Sequence, residues 1–380
     1  MNPHFSTIDP CFQKLKMPSE VPYCGITLPE FGELYRENMH GCISITICFI
    51  GSIFNLLNLL VFTRKAMISP VNLIFTHSAL VDFLVLLARI PFVWMLYIQD
   101  QGDFGEKRTY IGTVFLICCD TFIVSFQFVS IFLTVHLATW RYIAVVHPFM
   151  ERHWCNMKIT RNVVIAGYII CCFSLGVPML LSRSIQTTRM NQMNIYSFNY
   201  ERSRIMFKVA FIVYGPIGRL FPSIVLAGFT FRIVFTLLAR KGNRERLTQS
   251  ASVESDLHNL KLRKRTNRST MILLMAVVLF FIAEFPRGIL SVLRVIYEYD
   301  EKSEEIQGRC YASLVQIFTT LTDINLSITF IVYYILSQQF RLTFKLLLSI
   351  KIQFLIKKIS LLGSRTRHIE ELRLDQLPDE

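Results

Sequence analysis

Ionisable side chains stand inside long apolar runs of this chain at seven places: Asp82, Arg89, Asp120, Arg219, Glu284, Arg287 and Asp323. A charge at the centre of a hydrocarbon layer costs about 2.5–3.5 kcal/mol on insertion scales, so each should face a bundle interior and find a partner there. By residue count Arg89, Asp120, Arg219, Glu284 and Arg287 fall in the outer half of such a layer, Asp82 lies at mid-depth and Asp323 near the middle. Three outer arginines and several acids converging there describe a polar, outward-opening pocket. Glu284 and Arg287, three apart on one helix, could equally neutralise each other as a structural pair. Asp82 has different company. Asn55, Ser130 and Asn325 fall at comparable depth on other runs, and the four could enclose a water cluster or a small cation on oxygen ligands, such as a sodium ion.

The elements that must position these groups follow from composition. Of 380 residues 52% are hydrophobic, 13% aromatic and only 18% charged, with a mean hydropathy of +0.43. Soluble domains carry about 25% charged residues, so most of this chain needs lipid as its solvent. Runs of about 20 residues with few charges are long enough to cross the hydrocarbon core. Such runs are Gly41–Thr63, Val71–Ile98, Thr109–Tyr142, Thr160–Ser182, Met206–Leu238, Arg268–Ile296 and Tyr311–Leu336. They are too long and too evenly apolar for barrel strands. The expectation is an all-α membrane protein, a bundle of seven transmembrane helices spanning residues 41–337. Pro91, Pro178, Pro222 and Pro286 lie inside spans; each removes a helix hydrogen bond, which opens cavities.

Loop charge orients the bundle. Basic residues collect after spans one, three and five (Arg64 and Lys65; Arg152, Lys158 and Arg161; Arg240 to Arg268), whereas the head and the last outer loop are acidic. The loop between spans four and five, with Arg183, Arg189, Arg202 and Arg204, breaks the rule. Residues 1–40 are thus expected outside and the carboxyl terminus inside. Residues 338–362 interleave Phe340, Phe344, Leu348 and Phe354 with Arg341, Lys345, Lys351 and Lys357, a pattern suited to an amphipathic helix on the cytoplasmic membrane surface. Residues 363–380 follow as a cytoplasmic tail. No basic stretch leads into an apolar signal core before residue 42, so the first span is expected to do the targeting. Basic residues account for the net charge of +13 as a solvated cytoplasmic face, and nucleic acid is not an expected partner. No cysteines or histidines have metal-site spacing, and no metal is expected. Cys11, Cys24 and Cys310 are the cysteines placed outside; Cys11–Cys24 and Cys24–Cys310 are both open pairings.

The landmarks come in a telling order: Asn55 in span one, Ser78-Ala79-Leu80-Val81-Asp82 in span two, Trp140-Arg141-Tyr142 ending span three, Pro222 in span five, Pro286 in span six, then Asn325 to Tyr333 followed by Phe340-Arg341. Across residues 41–345 the chain resembles the rhodopsin-like (class A) G-protein-coupled receptors. It departs from them in four places. Trp140 stands where an acid usually precedes the arginine, Glu284-Phe285-Pro286 replaces the aromatic Cys-Trp-x-Pro, Thr329 to Tyr333 replaces Asn-Pro-x-x-Tyr, and residues 183–205 hold no cysteine for the usual disulfide to span three. With Thr139 to Val145, Ala283 to Leu290 and Ser337 to Arg341, this combination is similar to the invertebrate myosuppressin/FMRFamide-like peptide receptors. Sex-peptide and myoinhibitory-peptide receptors are near relatives, and the nematode branch fits best.

That resemblance implies a plasma-membrane receptor, not an enzyme, that takes a secreted amidated peptide in its outer cavity and activates a heterotrimeric G-protein. The peptide's arginine would meet Glu284 or Asp120, with Arg219 and Arg287 beside them, and its phenylalanine would meet aromatics such as Trp94, Tyr97, Phe122 and Phe126. Span six would pivot at Pro286, while Arg141, Tyr142 and Tyr333 would serve the inner end. No cofactor is implied beyond an allosteric sodium ion near Asp82. Rival readings are weaker. An opsin needs a span-seven lysine and residues 311–336 have none; His77 with Asp82 is the only hint of an acyltransferase; and no internal repeat supports a seven-span transporter. A receptor of the same fold for a non-peptide ligand is the remaining alternative.

Overall fold

The structure, a computed structural model, describes residues 40–98, 109–190, 193–199, 209, 212–247, 275, 277–293 and 304–349. Seven helices of a bundle fall where the apolar runs predict them. Helix α1 is His40–Phe62 and α2 is Pro70–Val93. Ser69 caps α2 by accepting from the Asn72 backbone N–H, with Pro70 pre-set for the first turn. Helix α3, Tyr110–Val146, is capped by Thr109, and α4, Met157–Cys171, by Asn156. Helix α5 is Phe221–Leu247, α6 occupies 277–293, and α7 is Glu304–Leu336. A further helix, α8, occupies 338–349 after Ser337, whose Oγ accepts from the Phe340 N–H at 3.2 Å. Among the described residues six helices are long and apolar enough to cross a membrane; the described part of α6 supplies the remaining position.

Proline placement explains where these helices depart from regular geometry. After Pro91 the end of α2 widens into a π turn, Trp94–Ile98. Helix α4 widens over Cys172–Gly176 before continuing as Val177–Leu181, and α5 is preceded by a π stretch, Val213–Leu220, that contains Pro216. A residue that cannot donate its N–H frees a carbonyl, and a widened turn is one way to absorb the mismatch.

Helix α1 packs on α2 and α7, α2 on α3 and α4, and α3 on α4 and α5, which places α3 at the centre. Val85, Leu86, Val129, Leu133, Leu226 and Phe280 fill the interior, whereas Phe49, Ile170, Phe173, Phe231 and Phe235 point outward, as suits faces solvated by lipid. Small residues set the closest approaches. A methyl on Gly218 would lie 2.1 Å from the ring of Phe128 on α3, and one on Gly167 would lie 2.2 Å from the Phe132 ring. Gly218→Val should therefore push α5 off α3. The expected result is several-fold less folded receptor at the cell surface at equal total expression, measured by surface labelling of an epitope-tagged chain.

One element was not anticipated. The loop between α4 and α5 carries an antiparallel hairpin, β1 (Ser184–Met190) and β2 (Met193–Asn199), paired from Ser184 opposite Asn199 to Met190 opposite Met193. Ile195, Tyr196 and Phe198 are strand-favouring residues, but they do not alternate with polar ones, so no period marks the hairpin.

Candidate functional site

Five helices bring charge together in the bundle. Helix α6 offers Glu284 and Arg287 on one face, α5's π stretch offers Tyr214 and Arg219, α3 offers Gln127, α7 offers Thr322 and Asp323, and α2 offers Arg89. Tyr214 and Arg219 are five apart, which in a regular helix leaves them about 140° apart around the axis. The wider π turn lines them up, and Arg219 Nη2 donates to the Tyr214 hydroxyl at 2.7 Å.

Glu284 is the hub, with 2% of its surface accessible. Its Oε2 pairs with Arg219 Nη1. Its Oε1 accepts from Gln127 Nε2 at 3.1 Å and from Thr322 Oγ1 at 3.1 Å. Arg287 stands 4.0 Å from the same oxygen and donates instead to Thr322 Oγ1 at 3.0 Å and the Tyr214 hydroxyl at 3.0 Å. The Arg219 guanidinium also lies over the rings of Tyr214 and Phe128, 4.4 and 5.6 Å from their centroids. A second pair, Arg89 Nε to Asp323 Oδ1 at 2.9 Å, ties α2 to α7. A third joins Asp120 of α3 to Arg183, the residue before β1. The nearby Thr113 Oγ1 donates to the Tyr196 carbonyl of β2 at 3.0 Å, and the Tyr110 ring meets Tyr196 edge-on at 5.6 Å.

Beneath this layer lies a cavity of about 70 Å³ whose walls include Asp82, Ser78, Ser130, Gln127, Glu284, Asn325, Thr329 and Tyr333. Ser130 Oγ donates to Asp82 Oδ1 at 2.7 Å. The space is roomy enough for a small cluster of waters. Asn55 is spent elsewhere: its Nδ2 donates to the Leu326 carbonyl at 2.9 Å, and its Oδ1 accepts from Thr329 at 3.3 Å, so it fastens α1 to α7. Asp82, Ser130 and Asn325 thus share one cavity, and Asn55 braces it from outside.

The aromatic candidates separate as well. Trp94, which opens the π turn after α2, is 54% exposed. Phe122 and Phe126 stack on each other at 4.3 Å, with Phe126 edge-on to Tyr168 of α4. Tyr97 turns inward, where its hydroxyl accepts from Gln316 at 3.3 Å and its ring meets His40 at 4.8 Å. Cys11 and Cys24 lie outside the described residues, as does the side chain of Cys310. Residues that sequence reading did not single out are Gln127, Tyr214, Thr322 and Arg183; no local pattern marks them, since each acquires its role from a neighbouring helix.

At the other end Trp140 Nε1 donates to Thr160 Oγ1 at 3.1 Å, so the residue before Arg141 locks α3 to α4 by its indole. Tyr142 stacks on Phe229 of α5 at 5.0 Å. Tyr333 sits among Phe62, Phe75 and Phe340, with centroids 5.2, 4.8 and 6.0 Å away. A seven-residue helix, Pro148–Trp154, follows α3 and leaves Phe149 98% exposed.

A bundle with this helix order, a charged layer in one half and an arginine-tyrosine pair ending its third helix meets a family model described as serpentine type 7TM GPCR chemoreceptor Srw over residues 42–351. The chain belongs to that family. This receptor is 28% identical over 304 residues to the sex peptide receptor-related protein 2 of Caenorhabditis elegans, covering 76% of the chain and 66% of that protein. It is 25% identical over 332 residues to the sex peptide receptor of Drosophila melanogaster (82% of the chain, 72% of that protein) and 24% identical over 307 residues to the Drosophila FMRFamide receptor (78% and 51%). The matched stretch spans about two thirds of the first of these relatives. The receptor is a seven-helix, multi-pass plasma-membrane protein and not an enzyme.

Proposed function

We propose that this receptor binds an amidated peptide of the FMRFamide-like or myosuppressin type from outside the cell and activates a heterotrimeric G-protein inside it. The observation that carries the reading is the buried charged layer of Arg89, Arg219, Glu284, Arg287 and Asp323 in the ligand-facing half of a receptor whose relatives include receptors for sex peptide and FMRFamide. Lipid penalises such a layer, and a peptide arriving with both cationic and aromatic groups can use it. The amino terminus lies outside and the carboxyl terminus inside, in keeping with the basic loops. Helix α8 rests in the cytoplasmic headgroup layer, where Leu342, Leu346 and Leu348 meet lipid.

Ligand binding shifts a two-state equilibrium only by its differential affinity for the two states. Span six moves about Pro286, which lies between the hub carboxylate and Arg287, so rearranging the layer and swinging α6 are one event. At the inner end Arg141, Tyr142, Tyr333 and the protruding Phe149 meet the G-protein. The cavity at Asp82 holds water or a sodium ion on the Asp82 and Ser130 oxygens and on Asn325 in the resting arrangement.

The test is a G-protein activation assay in cells expressing the receptor, run with amidated Arg-Phe peptides and their free-acid forms. The amidated forms should activate at concentrations at least tenfold lower, because burying an extra carboxylate costs desolvation. Silence across the panel from a surface-expressed receptor would defeat the peptide reading, and a response to small volatile or polar molecules instead would favour a non-peptide chemoreceptor.

A further inference from the structure

We infer that Asp120 is the subsite for a guanidinium of the ligand, and that it is occupied in the resting receptor by Arg183, which the ligand displaces to free the β1–β2 hairpin. The inference rests on the peptide reading above and deepens it.

Three acids, Glu284, Asp323 and Asp120, are paired with arginines in the bundle, and their surroundings differ. Glu284 is held by Arg219, Gln127 and Thr322, with Arg287 alongside, and Asp323 is held by Arg89 with its side chain wholly buried. Both are tied between helices, so a ligand reaches either only by rearranging the layer. Asp120 is different. Its side chain stays 15% accessible while its partner's is 1% accessible. That partner belongs to the loop: Arg183 directly precedes β1 and is not on a bundle helix. Exchanging one guanidinium for another at a carboxylate keeps charge balance, and the new pair retains the geometry of charge-assisted hydrogen bonds. No covalent tie opposes the exchange from within the loop, since residues 183–205 contain no cysteine and Cys118 and Cys119 of α3 are free thiols. Among the described contacts the hairpin also meets α3 through the neutral Thr113–Tyr196 hydrogen bond and the Tyr110–Tyr196 ring contact. Arg183 is thus an internal competitor for the ligand's cation, and its departure loosens the element that covers the outer end of α3.

The experiment compares an amidated Arg-Phe peptide that activates the wild type with its citrulline analogue, which keeps the shape of arginine without the charge. The wild-type potency ratio of the two peptides is the reference. Arg183→Gln removes the competitor, so the arginine peptide should gain about fivefold or more in potency while the citrulline peptide changes less than twofold. Asp120→Asn/Arg183→Gln, a neutral pair that leaves no buried charge unpartnered, should bring the ratio to about one at normal surface expression. A ratio unchanged from wild type in both variants overturns the exchange and leaves the pair as a structural clamp. A wild type silent to every peptide overturns the peptide reading itself, a result visible before any variant is made.

Discussion

Glu284→Gln is expected to remove most of the receptor from the cell surface. The carboxylate is buried and supplies the negative charge for Arg219, with Arg287 next to it. Taking it away leaves guanidiniums in a low-dielectric interior, and breaking a buried pair from one side typically costs about 3–5 kcal/mol, a large share of the stability of any fold. Removing the cation at the same time should repair much of the damage: Arg219→Met/Glu284→Gln should recover at least half of the wild-type surface signal, since Arg287 keeps its hydrogen bonds to Thr322 and Tyr214. Surface labelling against total expression, with melting temperature in detergent, decides the matter. A Glu284→Gln receptor present at wild-type levels but insensitive to peptide would instead make Glu284 a ligand contact.

Phe340→Ala should be nearly as damaging through packing alone. Phe340 is fully buried, and its ring lies 5.4 Å from Phe62 of α1, 5.7 Å from Phe330 and 6.0 Å from Tyr333 of α7. Large aromatic truncations in a core cost about 3–5 kcal/mol. The loss falls on the joint between α1, α7 and α8, so α8 should come away. Expected are a melting temperature lowered by several degrees and faster hydrogen exchange over 338–349, with Phe340→Leu restoring most of both. Unchanged exchange there would mean that α8 is held by the Gln339 bond to the Ala66 carbonyl and not by the ring.

The spans were legible because lipid imposes a simple rule on composition. His40–Phe62 and Pro70–Ile98 lie within a residue of the runs marked at 41–63 and 71–98. That Glu284 and Arg219 stand inside was legible for the same reason. Which partner each charge takes was not. Arg287, three positions away on the same helix, was the local choice for Glu284, yet the tighter contact comes from Arg219 on α5. Such choices depend on how helices are rotated against one another, and here on a π stretch that turns Arg219 toward Tyr214, neither of which leaves a periodic trace. Asn55 illustrates the same limit: its depth matched Asp82, but its direction sent it to the α7 backbone. The hairpin went unread because two short strands over a helix end carry little hydrophobic signal of their own.

The charged layer also carries a net charge of its own. Arg89, Arg219 and Arg287 set three guanidiniums against the two carboxylates of Glu284 and Asp323, which leaves a positive surplus directly above the cavity at Asp82. A small cation approaching from the layer's side of the bundle would meet an uphill field before it reached that carboxylate. A cation at Asp82 would therefore have to be held against the field of these arginines, and neutralising one of them would ease its entry.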